Sequence, residues 1–255
     1  KQLRGTKSLS VETKNSCPMC RAPNVAVGSK EHIERLQKWS QRNRSWAQFG
    51  LGGLYDRGLG VKEDPKRASE LYKLAADQGH HLSQYNLGLM YAKGEGGFQS
   101  DELAFKYTKL SADQGYAEAQ YQVGVYYANG TGVEQSDTKA CEFYTLAADQ
   151  GDRQAQFNLG LMYAQGRGVI QSDELAFLYS KLSADQGLAD AQTNVGSYYG
   201  NGTGVEQSNT KAREWWTKSA KQGHENAIKN LKRLDEMEGI KTTSSSSNFT
   251  DNSTV

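Results

Sequence analysis

By type and spacing, Cys17 and Cys20 are the residues most suited to chemistry, because C-x2-C places two thiolates on one zinc ion. A structural zinc takes four ligands. The next candidate, His32, lies twelve residues on and is unpaired in pattern, so the zinc site is incomplete. Cys141 is the third cysteine, and three cysteines fit a reducing compartment better than a disulfide framework. Gly200-Asn201-Gly202-Thr203-Gly204 has the glycine content of a phosphate loop but lacks the Gly-Lys-Ser/Thr and the preceding strand such a loop needs. His80 and His224 share one register position with Tyr116, Asp152 and Leu188, which reads as turn surface rather than catalysis. Trp215, Trp216 and the tyrosine columns read as core. No catalytic constellation and no cofactor site emerge, and the expectation is a chain without enzymatic activity of its own.

The other suggestive pattern is a row of primary amides. Asn86, Gln122, Asn158 and Asn194 recur at 36-residue intervals, with Gly50 at the first position. An amide offers an acceptor and two donors, yet it is a poor mid-helix residue because it competes for backbone hydrogen bonds, so its repetition needs a reason. Such a row could clamp the backbone of an extended peptide whatever its sequence. The adjacent polar column, Lys93, Asn129 and Gln165 with Arg57 and Asn201, would widen that groove. The alternative is that each amide bonds the backbone of the neighbouring repeat and is purely structural.

These residues are positioned by an internal repeat. Gln-Gly recurs at Gln78, Gln114, Gln150, Gln186 and Gln222, always 36 residues apart. Gly52, Gly88, Gly124, Gly160 and Gly196 keep the same register, as do Tyr55, Tyr91, Tyr127, Tyr163 and Tyr199. Each unit reads as two helices. In the second unit Tyr85, Leu89 and Ala92 mark one amphipathic stripe, and Leu103, Tyr107 and Leu110 mark the next. Asp64, Ser100, Ser136, Ser172 and Ser208 are N-cap residues for the second helices, and Pro65 sits at a first-turn position that tolerates it. A glycine inside a helix costs about 1 kcal/mol relative to Ala. Five such glycines predict close approach of a partner helix rather than a ligand site. A second period of 72 is also present: residues 99–136 and 171–208 share 30 of 38 positions.

The pattern resembles the Sel1-like repeat family, a relative of the tetratricopeptide repeat. In the third unit the resembling residues are Ala119-Gln120, Gly124, Tyr127, Gly130, Gly132-Val133, Ala140 and Ala147-Ala148-Asp149-Gln150-Gly151, and Gly97 departs from the Val of the other units. The resemblance implies an all-α superhelix, an α-α solenoid of five helix pairs plus a capping helix. It also implies a concave inner face that binds a protein or an extended peptide. The string Ser16-Cys17-Pro18-Met19-Cys20-Arg21 is similar to the closing ligand pair of a RING-type zinc finger. That resemblance implies zinc only with further ligands upstream, and a ubiquitin-conjugating enzyme as partner, met by Pro18 and Arg21.

The expected organisation is a zinc-finger remnant over 1–24, a linker helix over 25–46, repeats over 47–238 and a disordered tail over 239–255. The repeat units are 47–79, 80–115, 116–151, 152–187 and 188–223, followed by the capping helix. Charge is uneven: residues 1–46 carry a net +7 and residues 47–255 a net −6, which reads as a solvated basic head rather than a nucleic-acid site. No run of 18 apolar residues is present, so no membrane partner is expected. The function implied is a protein-interaction scaffold in the cytoplasm, with the nucleus as second compartment. The alternatives are the substrate-binding part of a RING-type ubiquitin ligase and an adaptor in endoplasmic-reticulum-associated degradation.

Overall fold

A computed structural model describes residues 26–239. The fold is all-α, of the solenoid class, with twelve helices among the described residues. In chain order these are α1 (Lys30–Gln41), α2 (Ser45–Arg57), α3 (Pro65–Ala76), α4 (His81–Lys93), α5 (Asp101–Ala112), α6 (Ala117–Asn129), α7 (Asp137–Asp149), α8 (Arg153–Gln165), α9 (Asp173–Asp185), α10 (Ala189–Asn201), α11 (Asn209–Ala220) and α12 (Glu225–Met237). The chain forms two compact units. Of the described residues, one unit holds 26–119 and 131–134, and the other holds 120–130 and 135–239. Within the units consecutive helices pack on one another, as α2 on α3, α4 on α5, α7 on α8, α8 on α9 and α10 on α11.

Local chemistry sets the helix ends. The side chains of Asp64, Ser100, Ser136, Ser172 and Ser208 accept from the backbone N–H three residues on, capping α3, α5, α7, α9 and α11. The first helix of a repeat ends on a left-handed glycine such as Gly166 (φ 65°). Two residues on, a second glycine does different work. A Cβ on Gly168 would lie 2.4 Å from the Asp137 carbonyl, and one on Gly204 would lie 2.1 Å from the Asp173 oxygen. Each loop therefore sits directly on the start of the preceding repeat's second helix, where only glycine fits.

The mid-helix glycines are close-packing contacts. A Cβ on Gly124 would lie 2.6 Å from the Tyr144 ring, on Gly160 2.8 Å from Ser180 Oγ, and on Gly196 2.4 Å from the Trp216 ring. The facing residues explain the 72-residue period: Tyr72, Thr108, Tyr144, Ser180 and Trp216 alternate large and small. Where the facing residue is small, the next first helix compensates, as Tyr198 extends its hydroxyl toward Ser180. The position of Tyr198 is held by Met90 after Tyr72 and by Met162 after Tyr144.

Two expected stripes are corrected. α5 buries Ala104, Tyr107, Thr108, Ser111 and Ala112, while Leu110 is exposed. α4 buries Ser83, Gln84, Leu87, Gly88 and Met90, leaving Tyr85, Leu89 and Ala92 half-exposed. The close helix approach is made by small residues, so the larger apolar side chains stand outside the contact.

Adjacent repeats are joined by buried glutamines. Gln84, Gln156 and Gln192 donate to the carbonyls of Ala76, Ala148 and Ala184, at the end of the preceding second helix. The Gln-Gly glutamine of the same repeat then donates to the first one: Gln114 to Gln84 at 2.6 Å, Gln150 to Gln120 at 2.7 Å, Gln186 to Gln156 at 2.8 Å and Gln222 to Gln192 at 2.9 Å. The receiving glutamines are 4–6% exposed, so both ends of each amide need a protein partner.

The helix read from sequence as a linker takes another role. Leu36 on α1 stands one repeat before Tyr72 and meets Gly50, and Gly28 lies against Gly60. α1 thus occupies the place of a second helix. At the other end α12 occupies the place of a first helix, with Arg213 of α11 paired to Asp235 and to Glu238 at 2.6 Å.

Candidate protein-binding face

First helices bury one side against the second helices and leave the other side open. In the unit holding residues 120–239 the open side carries three columns on α6, α8, α10 and α12. Gln122, Asn158, Asn194 and Asn230 are all half-buried amides. Val125, Leu161, Ser197 and Arg233 form the next column, and Asn129, Gln165, Asn201 and Met237 the last, which is exposed. The amide row therefore continues onto α12 at Asn230, which the sequence reading missed because the glycine and tyrosine columns stop before it. In the other unit α4 presents Asn86, Leu89 and Lys93.

The amides differ in how they are held. The Asn158 side chain bonds the hydroxyls of Tyr121 and Tyr144, and that of Asn86 bonds the hydroxyl of Tyr72. Burial pushes Tyr72 and Tyr144 up to about 12, and the asparagines act in the opposite direction by favouring the phenolate. Tyr72 also lies 3.5 Å from Asp56, whose charge raises it further. An amide has four hydrogen-bonding positions; two tyrosines fix the Asn158 side chain without occupying all of them. The face is nearly uncharged along α6, α8 and α10.

Other residues singled out by sequence have structural places. The His80 ring accepts from the Ser83 N–H as an N-cap, and burial with the nearby His81 lowers its pKa. His224 contacts Thr193 Oγ1 at 3.1 Å and Asp190 at 2.9 Å. Cys141 is buried against Met162, and burial raises its thiol to about 11, which keeps it unreactive. Trp215 and Trp216 are core. Among the described residues no group of His, Cys, Asp and Glu could hold a metal, and no helix is long and apolar enough to cross a membrane. Cys17, Cys20, Pro18 and Arg21, and the tail beyond Gly239, lie outside the described residues.

The Sel1 repeat model matches five times in succession, over residues 47–80, 81–116, 117–152, 153–188 and 189–224. The chain belongs to the Sel1 repeat family. A Sel1 repeat protein from Oxalobacter formigenes is 30% identical, with a TM-score of 0.71 over 86% of this chain and 92% of that one. A protective antigen present in uropathogenic Escherichia coli strains is 32% identical, with a TM-score of 0.79 over 81% of this chain. The chain spans only 45% of that antigen's length. No curated protein matched. Sel1 repeat proteins act in general as protein-interaction scaffolds, and the fold is a scaffold type rather than a catalytic one. The family match does not reach the Cys17–Cys20 segment.

Proposed function

We propose that this Sel1 repeat chain is a non-enzymatic scaffold that holds an extended protein segment along the open face of its first helices, with the amides Gln122, Asn158, Asn194 and Asn230 bonding the segment's backbone. The observation that carries this reading is the coincidence, on columns without charge along α6, α8 and α10, of half-exposed amides with the aliphatic side chains Val125 and Leu161. An extended chain presents its peptide groups to successive repeats, so the amide of each repeat can address one of them while the aliphatic column receives side chains. Taken by itself, the other unit carries the same residue types on α4, Asn86 and Leu89, with Lys93 adding a cation.

The test compares proteins captured by the wild-type chain, by an Asn194→Ala variant, and by a control variant, Leu182→Ser, on the outer side of α9 where Leu182 is 40% exposed. Clients retained by the control and lost by Asn194→Ala support the reading. A client set that Asn194→Ala leaves unchanged would overturn it.

A further inference from the structure

The open face ends in a cavity. Between α10, α11 and α12 lies a space of about 230 Å3 whose walls include Ser197, Asn201, Trp216, Asn230, Arg233 and Met237. Five of these belong to the open-face columns themselves: Ser197 and Asn201 from α10, and Asn230, Arg233 and Met237 from α12. The cavity exists because the last full repeat departs from the others at two linked positions. Trp216 stands where Tyr144 and Ser180 stand earlier, and Gly200 stands where Ala128 and Ala164 stand. A Cβ on Gly200 would press on the indole at 3.1 Å, so glycine here lets the larger ring seat. The indole is fixed by its Nε1–H, which donates to the Thr193 carbonyl at 3.1 Å, and the ring forms an apolar floor.

The electrostatics of the cavity have one sign. Arg233 is the single charged residue of its lining. Of the carboxylates near the end of α12, Asp235 and Glu238 are engaged by Arg213 and Glu236 is exposed to solvent outside the cavity lining; among the described residues Arg233 has no ion-pair partner. A guanidinium in a recess with amides and an apolar floor selects a carboxylate attached to something apolar. The volume is smaller than the roughly 300–1,000 Å3 of a typical small-molecule site, so it holds about one amino-acid residue.

We infer that this cavity receives the C-terminal residue of the bound segment, its α-carboxylate on Arg233 and its apolar side chain on Trp216. Only a chain end carries a carboxylate and an apolar side chain on the same residue; an internal Asp or Glu supplies the charge but leaves the indole floor uncovered. The inference rests on the open face being the ligand-binding face, and it adds direction: the segment lies with its C-terminus at α12.

The test uses the full chain and three N-acetylated hexapeptides. The first is Ser-Gly-Ser-Ala-Ser-Leu with a free carboxylate, the second is its C-terminal carboxamide, and the third is the carboxamide with Glu in place of Leu. The readouts are the NMR signals of the Trp216 indole N–H and of the Asn158 and Asn194 side-chain amides. The free acid is expected to shift the indole signal with about tenfold or greater preference over either carboxamide, and Arg233→Gln is expected to erase that preference while leaving the spectrum of the folded chain intact. Equal shifts from acid and carboxamide, or from the Glu peptide and the acid, would overturn the chain-end assignment. Shifts at Asn158 and Asn194 without any at Trp216 would also overturn it, while leaving the scaffold reading in place. An acid-specific shift at Trp216 with both asparagines silent would support the pocket and remove the face as its continuation. Silence at all three positions overturns the pocket.

Discussion

Two sets of amides recur every 36 residues on the same first helices, and they have opposite fates. The clasp glutamines, Gln84, Gln120, Gln156 and Gln192, are buried; each accepts from the Gln-Gly glutamine of its repeat, and Gln84, Gln156 and Gln192 also donate to the end of the preceding second helix. The open-face amides, Gln122, Asn158, Asn194 and Asn230, stand two residues further along or in register with it, half-buried. Residue type and periodicity are shared, so neither separates structure from recognition. Burial does: an amide closed off by packed helices can only hold the fold, and a half-exposed one with hydrogen-bonding positions left over can also hold a ligand.

The largest expected effect tests the buried set. Gln156→Ala removes the acceptor used by Gln186 and the donor to the Ala148 carbonyl. Each buried group left unsatisfied costs about 1–3 kcal/mol, so a loss of about 3 kcal/mol in urea denaturation is expected. In a repeat array the damage concentrates in the neighbouring repeats, and hydrogen exchange would locate it around α7–α9. A loss below about 0.5 kcal/mol would place Gln156 with the open-face amides and erase the distinction.

A smaller effect tests how the open-face amides are held. The fold raises Tyr144 from its ordinary value near 10 to about 12, chiefly by burial. A raised phenol means that the folded state favours the neutral form. Its contribution is complete below pH 10 and is lost as pH rises through about 12. Tyr72 behaves alike, and Cys141, raised to about 11 from an ordinary value about one unit below that of a phenol, adds a loss that begins about one pH unit earlier. Wild-type stability should therefore fall between pH 10 and 12, and Tyr144→Phe should flatten that fall. At pH 7 the variant also removes one partner of Asn158, costing about 1 kcal/mol. Identical slopes in denaturation midpoints from pH 9 to 12 would show that the Tyr144 phenol does not report on this site.

Much of this arrangement is legible in the sequence because the repeat writes each position five times. The caps at Ser100 and Ser172, the helix-ending glycines and the close packing at Gly124, Gly160 and Gly196 each follow from a residue whose local chemistry has one use. The stripes were misread where that logic fails. Leu110 is apolar and Ser111 polar, yet Ser111 is buried and Leu110 exposed, because the distance between helices admits a hydroxymethyl group and not a leucine. Tyr85 and Leu89 mark an amphipathic stripe in the sequence, yet both are half-exposed, and Leu89 stands on the open face. The extent of the array was also hidden. α1 and α12 lack the glycine and tyrosine columns, and only their packing shows α1 in the place of a second helix and α12 in that of a first. The final cavity could have been suspected from Gly200 and Trp216, which change together in a single repeat.

The finest test lies within the open face, where the 72-residue alternation supplies an internal control. Asn158 follows Tyr121 and Tyr144, and both hydroxyls bond it. Asn194 is its counterpart one repeat later, but the residues at those two places are Phe157 and Ser180, and neither offers a phenol. Asn158→Ala should therefore lower stability by about 1 kcal/mol and weaken ligand binding as well, so its two effects are mixed. Asn194→Ala removes an amide that no phenol holds, and its stability should stay within about 0.5 kcal/mol of wild type. If the row bonds a peptide backbone, Asn194→Ala should still weaken binding of an extended peptide about tenfold, the scale of one or two lost hydrogen bonds. Thermal denaturation and peptide titration on the same two variants separate the cases. A folded Asn194→Ala protein that binds as well as wild type would leave the open-face amides with no role beyond that of the buried glutamines.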